Sequence, residues 1–316
     1  MQHHTYEDAV RRFQRELTGH TADQTLDRLH KLTPWLGQQP LESISNARIS
    51  EAIDQYAAAF LNNNPRRHKQ ARPLSATTRN HYRIAVRTLM NSAWRNWEWL
   101  DAPPRIRLEQ TEERHEARWL TPDEAERLLA ACTGRRLHWK APLAFALATG
   151  LRAGNVFDLQ WKWINVDRRT LVIPAMHYKS KRPHRVPLNR DAMGILAARR
   201  GLDERYVFTY RGEPIKRIHP RNFKQFCDEL GLHGVTFHTT RHTFAAWHLM
   251  NGTSVYDLAK LGGWSSVKMV EQTYGHLADD YLHTMAENIA FTAEVQKPEA
   301  TALSGTMGNA QEQRNE

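Results

Sequence analysis

Two arginines in the second half of the chain have the chemistry to act on an anion. Arg152 lies in ATGLRAGN and Arg241 in HTTRHTF. A phosphodiester resists nucleophilic attack because its oxygens are already negative. Two guanidiniums gripping those oxygens bidentately would neutralise the charge that grows in a pentacoordinate transition state. His238 lies three residues before Arg241, so a helix opening at HTTRH turns both to one side. His238 and His242, four apart, could instead bind zinc. The segment lacks the glutamate of HExxH, however, and no third ligand suggests itself. Taken singly, Arg152 also reads as a surface arginine at a helix start, and Arg241 as half of a structural ion pair. No metal is expected there.

The charge balance says which anion. Lys and Arg number 44 against 34 Asp and Glu, a net charge of +10 and a pI near 9.7. A domain pI above ~9 is the electrostatic footprint of a nucleic-acid binder. The positive charge is concentrated. Between Asn62 and Arg107 lie ten Lys or Arg, among them Arg66, Arg67, Lys69, Arg72, Arg79, Arg83 and Arg87, against only Glu98 and Asp101. Such a cluster suits a polyanion backbone, because neutralising phosphates releases counterions. These seven residues are the candidate DNA-binding set, and Arg79, Arg83 and Arg87 form a helical stripe expected to face DNA. Double-stranded DNA is the expected partner.

Other classes are excluded or disfavoured. The longest apolar stretch is APLAFALA at 141–148, whereas a membrane span needs ~20 such residues. The N-terminus, MQHHTYEDAVRRF, has no apolar signal region. Two distant cysteines, Cys132 and Cys227, make neither a disulfide framework nor a cysteine-rich zinc module. The expected location is the cytoplasm, in association with the nucleoid.

The elements that must position these groups are mostly helical. YEDAVRRFQRELTG places Tyr6, Val10, Phe13 and Leu17 at helical spacing, ending at Gly19, and LHKLTPWLG reads as a shorter piece. A third helix carries Ile49, Ile53, Tyr56 and Phe60 on one face. A fourth opens with Ser75 as N-cap and buries Tyr82, Val86, Leu89 and Trp97. Pro103-Pro104 stops the helical run, and the polar stretch at 109–116 reads as a linker. Thr121, Pro122 and Glu124 then form a capping-box start, and APLAFALATG a second apolar helix. TLVIPA and HRVPL flank HYKSKRP as a basic β-hairpin, and beyond Pro220 the chain is again helical to about residue 290.

Four segments of the second half resemble one family, the tyrosine recombinases or phage integrases. ATGLRAGNVFDLQWKWINVD (148–167) resembles its TGLRxxE segment, and HYKSKRPHRVPL (177–188) its lysine hairpin. HTTRHTFAAWHLMNG (238–252) resembles its HxxRH(T/S)FA segment. LAKLGGWSSVKMVEQTYGHL (258–277) resembles LGHxS…Y.H, with tryptophan where histidine is commoner. Order and approximate spacing agree over roughly 117–290.

The resemblance implies a catalytic set of Arg152, Lys179, His238, Arg241, Trp264 and Tyr274. Tyr274 would be the nucleophile, with Tyr281 its local rival. Lys179 would be the general acid on the leaving 5′-oxygen, with Lys181 as the alternative, and His238 would assist proton transfer or hydrogen-bond the phosphate. Trp264 can donate one hydrogen bond from its indole but carries no proton. Two departures stand out. Asn155 occupies a usually acidic position, where its amide could still accept a hydrogen bond, and Trp264 to Tyr274 is one residue longer than usual.

The implied fold is mainly α with a small β-sheet or hairpin in the catalytic domain, an α+β arrangement, preceded by a helical core-binding domain. Together they would form a C-shaped DNA clamp. The expected domains are 1–108 for core binding, 109–116 as linker, 117–292 for catalysis, and a tail at 293–316 that is disordered or exchanged between protomers. The N-terminal region is short for a separate arm-binding domain. The implied function is site-specific DNA recombination or integration through a 3′-phosphotyrosyl intermediate, as in mobile elements, with no metal or nucleotide cofactor. A homotetramer would act on two DNA sites, with a DNA-bending or directionality factor as a possible accessory. The alternatives are a type IB topoisomerase-like nicking-resealing enzyme and a non-catalytic DNA-binding relic.

Overall fold

The computed structural model of the chain describes residues 3–16, 20–62, 73–111, 117–178 and 180–278. Two compact units divide it, Met1–Glu113 and Arg114–Glu316. Leu17, Gly19, Arg66, Arg67, Lys69, Arg72, Lys179, Tyr281 and the expected tail lie outside the described residues.

Among the described residues, the first unit holds helices α1 (Tyr6–Glu16), α2 (His20–Leu36), α3 (Asn46–Asn62) and α4 (Ala76–Arg95). Their apolar spacing makes the core. Tyr6, Val10 and Phe13 of α1 meet Leu29, Leu32 and Leu36 of α2, Ile49 and Ile53 of α3, and Tyr82, Val86 and Leu89 of α4. Each such side chain contributes about 1.5–3 kcal/mol by leaving water. Ser75 caps α4 by accepting from the Thr78 N–H at 3.2 Å. The second helix begins at His20, upstream of the short piece LHKLTPWLG, and runs on through Pro34. Leu29, Leu32 and Leu36 continue one buried face past the proline, so tertiary packing outweighs the single lost backbone donor. Phe60 is 39 % exposed rather than completing the α3 face.

The chain after α4 returns along this unit. Asn46 donates to the Arg105 carbonyl and accepts from the Arg107 N–H. Asn80 does the same at Glu109, at 2.9 and 2.8 Å. Glu109, read in sequence as the start of a linker, is therefore bound to the first unit.

In the second unit, α5 (Pro122–Ala130) begins with the expected capping box between Thr121 and Glu124. Helix α6 (Leu137–Thr149) is apolar on nearly every side and forms the centre. A short α7 (Ala153–Phe157) follows. Strands β1 (Ile164–Asn165), β2 (Thr170–Ile173) and β3 (His184–Pro187) form an antiparallel sheet in that order. The register sets Leu171 opposite Val186 and Ile173 opposite His184. Leu171, Ile173 and Val186 are buried while Val172 and Arg185 face out, the period-two pattern of a one-sided sheet. Then come α8 (Arg190–Arg199), a small hairpin of β4 (Thr209–Tyr210) and β5 (Glu213–Pro214), α9 (Pro220–Glu229), α10 (Thr239–Met250), α11 (Val255–Gly262) and α12 (Val267–Tyr274). The chain is thus mainly helical, with two small sheets among the described residues. No described helix is long and apolar enough to cross a membrane.

Candidate active site

The turn after α6, the β2–β3 hairpin, the start of α10 and the α11–α12 turn converge on Arg241. It is 2 % exposed. Its Nη1 donates to the carbonyls of Gly150 and Gly262 at 2.6 and 2.7 Å, joining three of the sequence motifs. Its Nη2 is buried and has no hydrogen-bond partner among the described residues. The Trp264 indole lies over the guanidinium, 3.7 Å from ring centroid to Cζ, a favourable cation–π geometry. Burial, and then the nearby charge of Arg152, pull the Arg241 pKa down to about 10, still cationic at neutral pH. A buried guanidinium with an unsatisfied donor is costly unless an anion meets it.

Arg152 caps α7 from an extended backbone and is half-buried. Its Nη1 donates to the Tyr178 hydroxyl at 2.9 Å. Tyr178, 3 % exposed, donates in turn to the Gly263 carbonyl at 2.8 Å. The consecutive glycines allow this approach. A Cβ at Gly262 would lie 1.8 Å from the Trp264 ring, and one at Gly263 would lie 2.0 Å from the Tyr178 hydroxyl. Gly263 also has φ +65°, a conformation that favours glycine. His184 stacks on Tyr178 at 4.7 Å. Burial, reinforced by Arg241 and Arg152, pushes its pKa down to about 4. Tyr178 and His184 are neighbours of the two arginines that the sequence motifs did not single out. Tyr178 is one residue before Lys179, but nothing local marks it as a partner of Arg152.

His238 sits exposed at the start of α10. Partial desolvation by surrounding groups, then Arg241 and Arg152, lowers its pKa. Its ring meets that of His242 edge-on at 4.7 Å. Among the described residues no three His, Cys, Asp or Glu side chains are grouped to hold a metal.

Tyr274 ends α12 and is 2 % exposed. Ser266 caps that helix by accepting from the Met269 N–H, and the longer spacing from Trp264 still packs the two rings 6.2 Å apart. Burial pushes the Tyr274 phenol up to about 12, partly opposed by Arg241. Its hydroxyl lies 2.5 Å from His242 Nδ1.

Several expectations change. The amide of Asn155 acts as a donor, not an acceptor: its Nδ2 bonds the His177 carbonyl at 2.8 Å. It thereby ties α7 to the entrance of the lysine hairpin rather than orienting an arginine. Lys181, the alternative to Lys179, is exposed with φ +55°. In the first unit, Arg79 and Arg83 do not form an unpaired cationic stripe. Arg79 pairs with Asp54 and Glu109. The Arg83 side chain is 7 % exposed and bonds Glu109, Ser50 and the Arg107 carbonyl. The acids that neutralise them come from α3 and the returning segment, outside the window in which acids are scarce. Arg87 remains half-exposed.

Comparison with known proteins agrees with this architecture. The phage integrase family model matches residues 118–280, more than half of the chain. The integrase of Salmonella phage P22 is 30 % identical over 231 residues, covering 69 % of this chain and 58 % of that protein. The ICEBs1 integrase of Bacillus subtilis is 24 % identical over 56 % of this chain and 55 % of its own length. The chain thus spans just over half the length of these two relatives. The fold resembles the Tn1549 transposon integrase in complex with transposon right-end DNA, with a TM-score of 0.68 at 17 % identity, covering 90 % of this chain and 99 % of that one. It also resembles a lambda integrase tetramer bound to a Holliday junction, with a TM-score of 0.63 at 17 % identity over 86 % and 77 %. A helical first unit followed by a helical unit with small sheets is the arrangement this chain shares with those integrase structures. This chain belongs to the phage integrase family, the tyrosine recombinases.

Proposed function

We propose that this protein is a site-specific DNA recombinase or integrase that cuts and rejoins DNA through a 3′-phosphotyrosyl intermediate. The observation that carries the reading is the buried Arg241, whose Nη2 has no partner among the described residues, beside a buried tyrosine on the same chain. A scissile phosphate supplies the missing anion. Arg241 and Arg152 would hold its non-bridging oxygens, with the Trp264 indole covering the Arg241 guanidinium. Tyr274 attacks phosphorus from within the same protomer and Lys179 protonates the departing 5′-oxygen, a role resting on its place in the hairpin motif. A partner strand's 5′-hydroxyl then reverses the step. His238, at the exposed rim, hydrogen-bonds the phosphate.

The first unit serves as the core-binding domain and the second as the catalytic domain. Arg87, with Arg66, Arg67, Lys69 and Arg72, contacts the DNA backbone, while Arg79 and Arg83 brace the unit. Four protomers would act on two sites, as the structural neighbours' complexes suggest by analogy.

The test uses a duplex selected for binding from a randomised pool and nicked beside the cleavage position. Wild type should form an SDS-resistant adduct, Tyr274→Phe should form none while still binding, and Arg241→Lys should slow the reaction by ~10²–10³. A Tyr274→Phe adduct refutes the nucleophile. Plasmid relaxation without recombination between two sites would point to a topoisomerase. Binding without any adduct would point to a non-catalytic protein.

A further inference from the structure

His242 belongs to none of the roles just given, although it makes the contact nearest to the proposed chemistry. It lies one turn beyond His238 on α10, and its Nδ1 is 2.5 Å from Tyr274 Oη. We propose that His242 is the base that takes the phenol proton as Tyr274 attacks phosphorus and returns it when the DNA is rejoined. This rests on the reading of Tyr274 as nucleophile.

The groups facing the hydroxyl leave few candidates. Arg241 can only donate, and so can the Trp264 indole. His238 faces the His242 ring edge-on, and no hydrogen bond joins it to Tyr274 among the described residues. His242 is within direct transfer distance.

The direction of the bond follows from the surroundings. Burial holds the phenol protonated, up to about 12. Burial, then His238, then Arg241, hold the His242 pKa down to about 4, so its ring is neutral at pH 7. A protonated phenol and a neutral imidazole pair with Oη as donor and Nδ1 as acceptor, which places the imidazole proton on Nε2.

The same charges explain how so weak a base could act. Its proton affinity is depressed partly by the charge of Arg241, and a phosphodiester bound by Arg241 and Arg152 offsets that charge. Phosphate binding therefore strengthens the base. Without DNA the phenol keeps its proton and Tyr274 stays inert. On cleavage the Oη–P bond forms and the P–O5′ bond breaks. The phenol proton passes to His242 Nδ1, and the 5′-oxygen takes a proton from Lys179. Rejoining reverses each transfer.

The variants to make are His242→Asn and His242→Ala. The Asn amide oxygen can accept the same hydrogen bond but cannot take the proton. Both are assayed on the selected nicked duplex, with folding followed by thermal unfolding. His242→Asn should bind DNA like wild type yet form adduct ~10²–10⁴-fold more slowly. Added imidazoles should restore His242→Ala in order of their basicity, which filling a cavity would not reproduce. A wild-type rate in His242→Asn overturns the proposal, because the hydrogen bond alone then suffices. Slow variants that no imidazole rescues overturn it too, leaving His242 as a packing partner. If wild type forms no adduct, or Tyr274→Phe does, the nucleophile reading fails instead and this inference falls with it.

Discussion

Tyr178→Phe isolates the group that connects the two halves of the proposed phosphate clamp. The substitution removes one oxygen and keeps the ring, so the Arg152 guanidinium still lies over it at 5.3 Å. Three contacts of the hydroxyl are lost: the bond from Arg152 Nη1 at 2.9 Å and its own donation to the Gly263 carbonyl at 2.8 Å, shared with the Gly262 carbonyl at 3.3 Å. A bond to a charged group is worth about 1.5–3 kcal/mol net, and a buried acceptor left without a donor costs about 1–3 kcal/mol. Arg152 is only half-buried, so water replaces part of its loss, and we expect about 2–4 kcal/mol in all. For a unit of this size each kcal/mol lowers Tm by about 2–4 °C, giving a fall of roughly 4–16 °C. Freed from its brace, Arg152 should misplace the phosphate by a fraction of an ångström. Adduct formation should fall by about tenfold to a hundredfold. The assays are thermal unfolding of the full chain and single-turnover adduct formation on the nicked duplex. A wild-type Tm and rate together would refute the bridge. A lowered Tm with a wild-type rate would show that Tyr178 braces the hairpin without orienting Arg152.

Other perturbations separate support from contact. Glu109→Ala strips Arg79 and Arg83 of a shared carboxylate and should destabilise the first unit by about 1–3 kcal/mol, below the cost at a fully buried site because Glu109 is partly exposed. Arg87→Ala should leave stability alone and flatten the plot of log K against log salt by about 0.9, so an unchanged slope removes Arg87 from the DNA surface. Gly263→Ala should impair folding or cleavage, because its Cβ competes with the Tyr178 hydroxyl; a fully active, stable variant would contradict that geometry. Lys179→Ala should regain most of its rate on a DNA with sulfur at the bridging 5′ position, whereas rescue of Lys181→Ala instead would shift the acid by two residues. His138, His184, His238, His242 and His248 all have depressed pKa values, mainly from burial. The unfolded chain therefore binds more protons, and stability should be full above pH 6.5 and decline as pH falls towards 4. His184 alone contributes about 3 kcal/mol of that decline, and a flat urea-unfolding profile over this range would show these rings to be solvated.

What the sequence determined by itself is what depends on near neighbours. Ser75 and the Thr121–Glu124 capping box start helices because their partners are three residues away. Period-two burial made β2 and β3 legible, and helical spacing the cores of α1 and α4. The motifs also name Arg152, His238, Arg241, Trp264 and Tyr274, which the fold gathers around one turn of α10. Charge alone, however, does not say where a side chain goes. The arginine stripe of α4 looks open because acids are absent nearby in sequence. Asp54 and Glu109 reach it from 25 and 30 residues away, and Arg83 ends in the interior. Asn155 could donate or accept, and only the His177 carbonyl decides that it donates. Tyr178 carries no distinguishing local signal, and His242 is marked in sequence only as the partner of His238 in a rejected zinc pair: their meaning comes from Arg152, Gly263 and Tyr274, which only tertiary packing brings to them. Helices and caps follow from energies within a few residues, whereas the partner of a buried charge or hydroxyl is settled by which distant groups the core places against it.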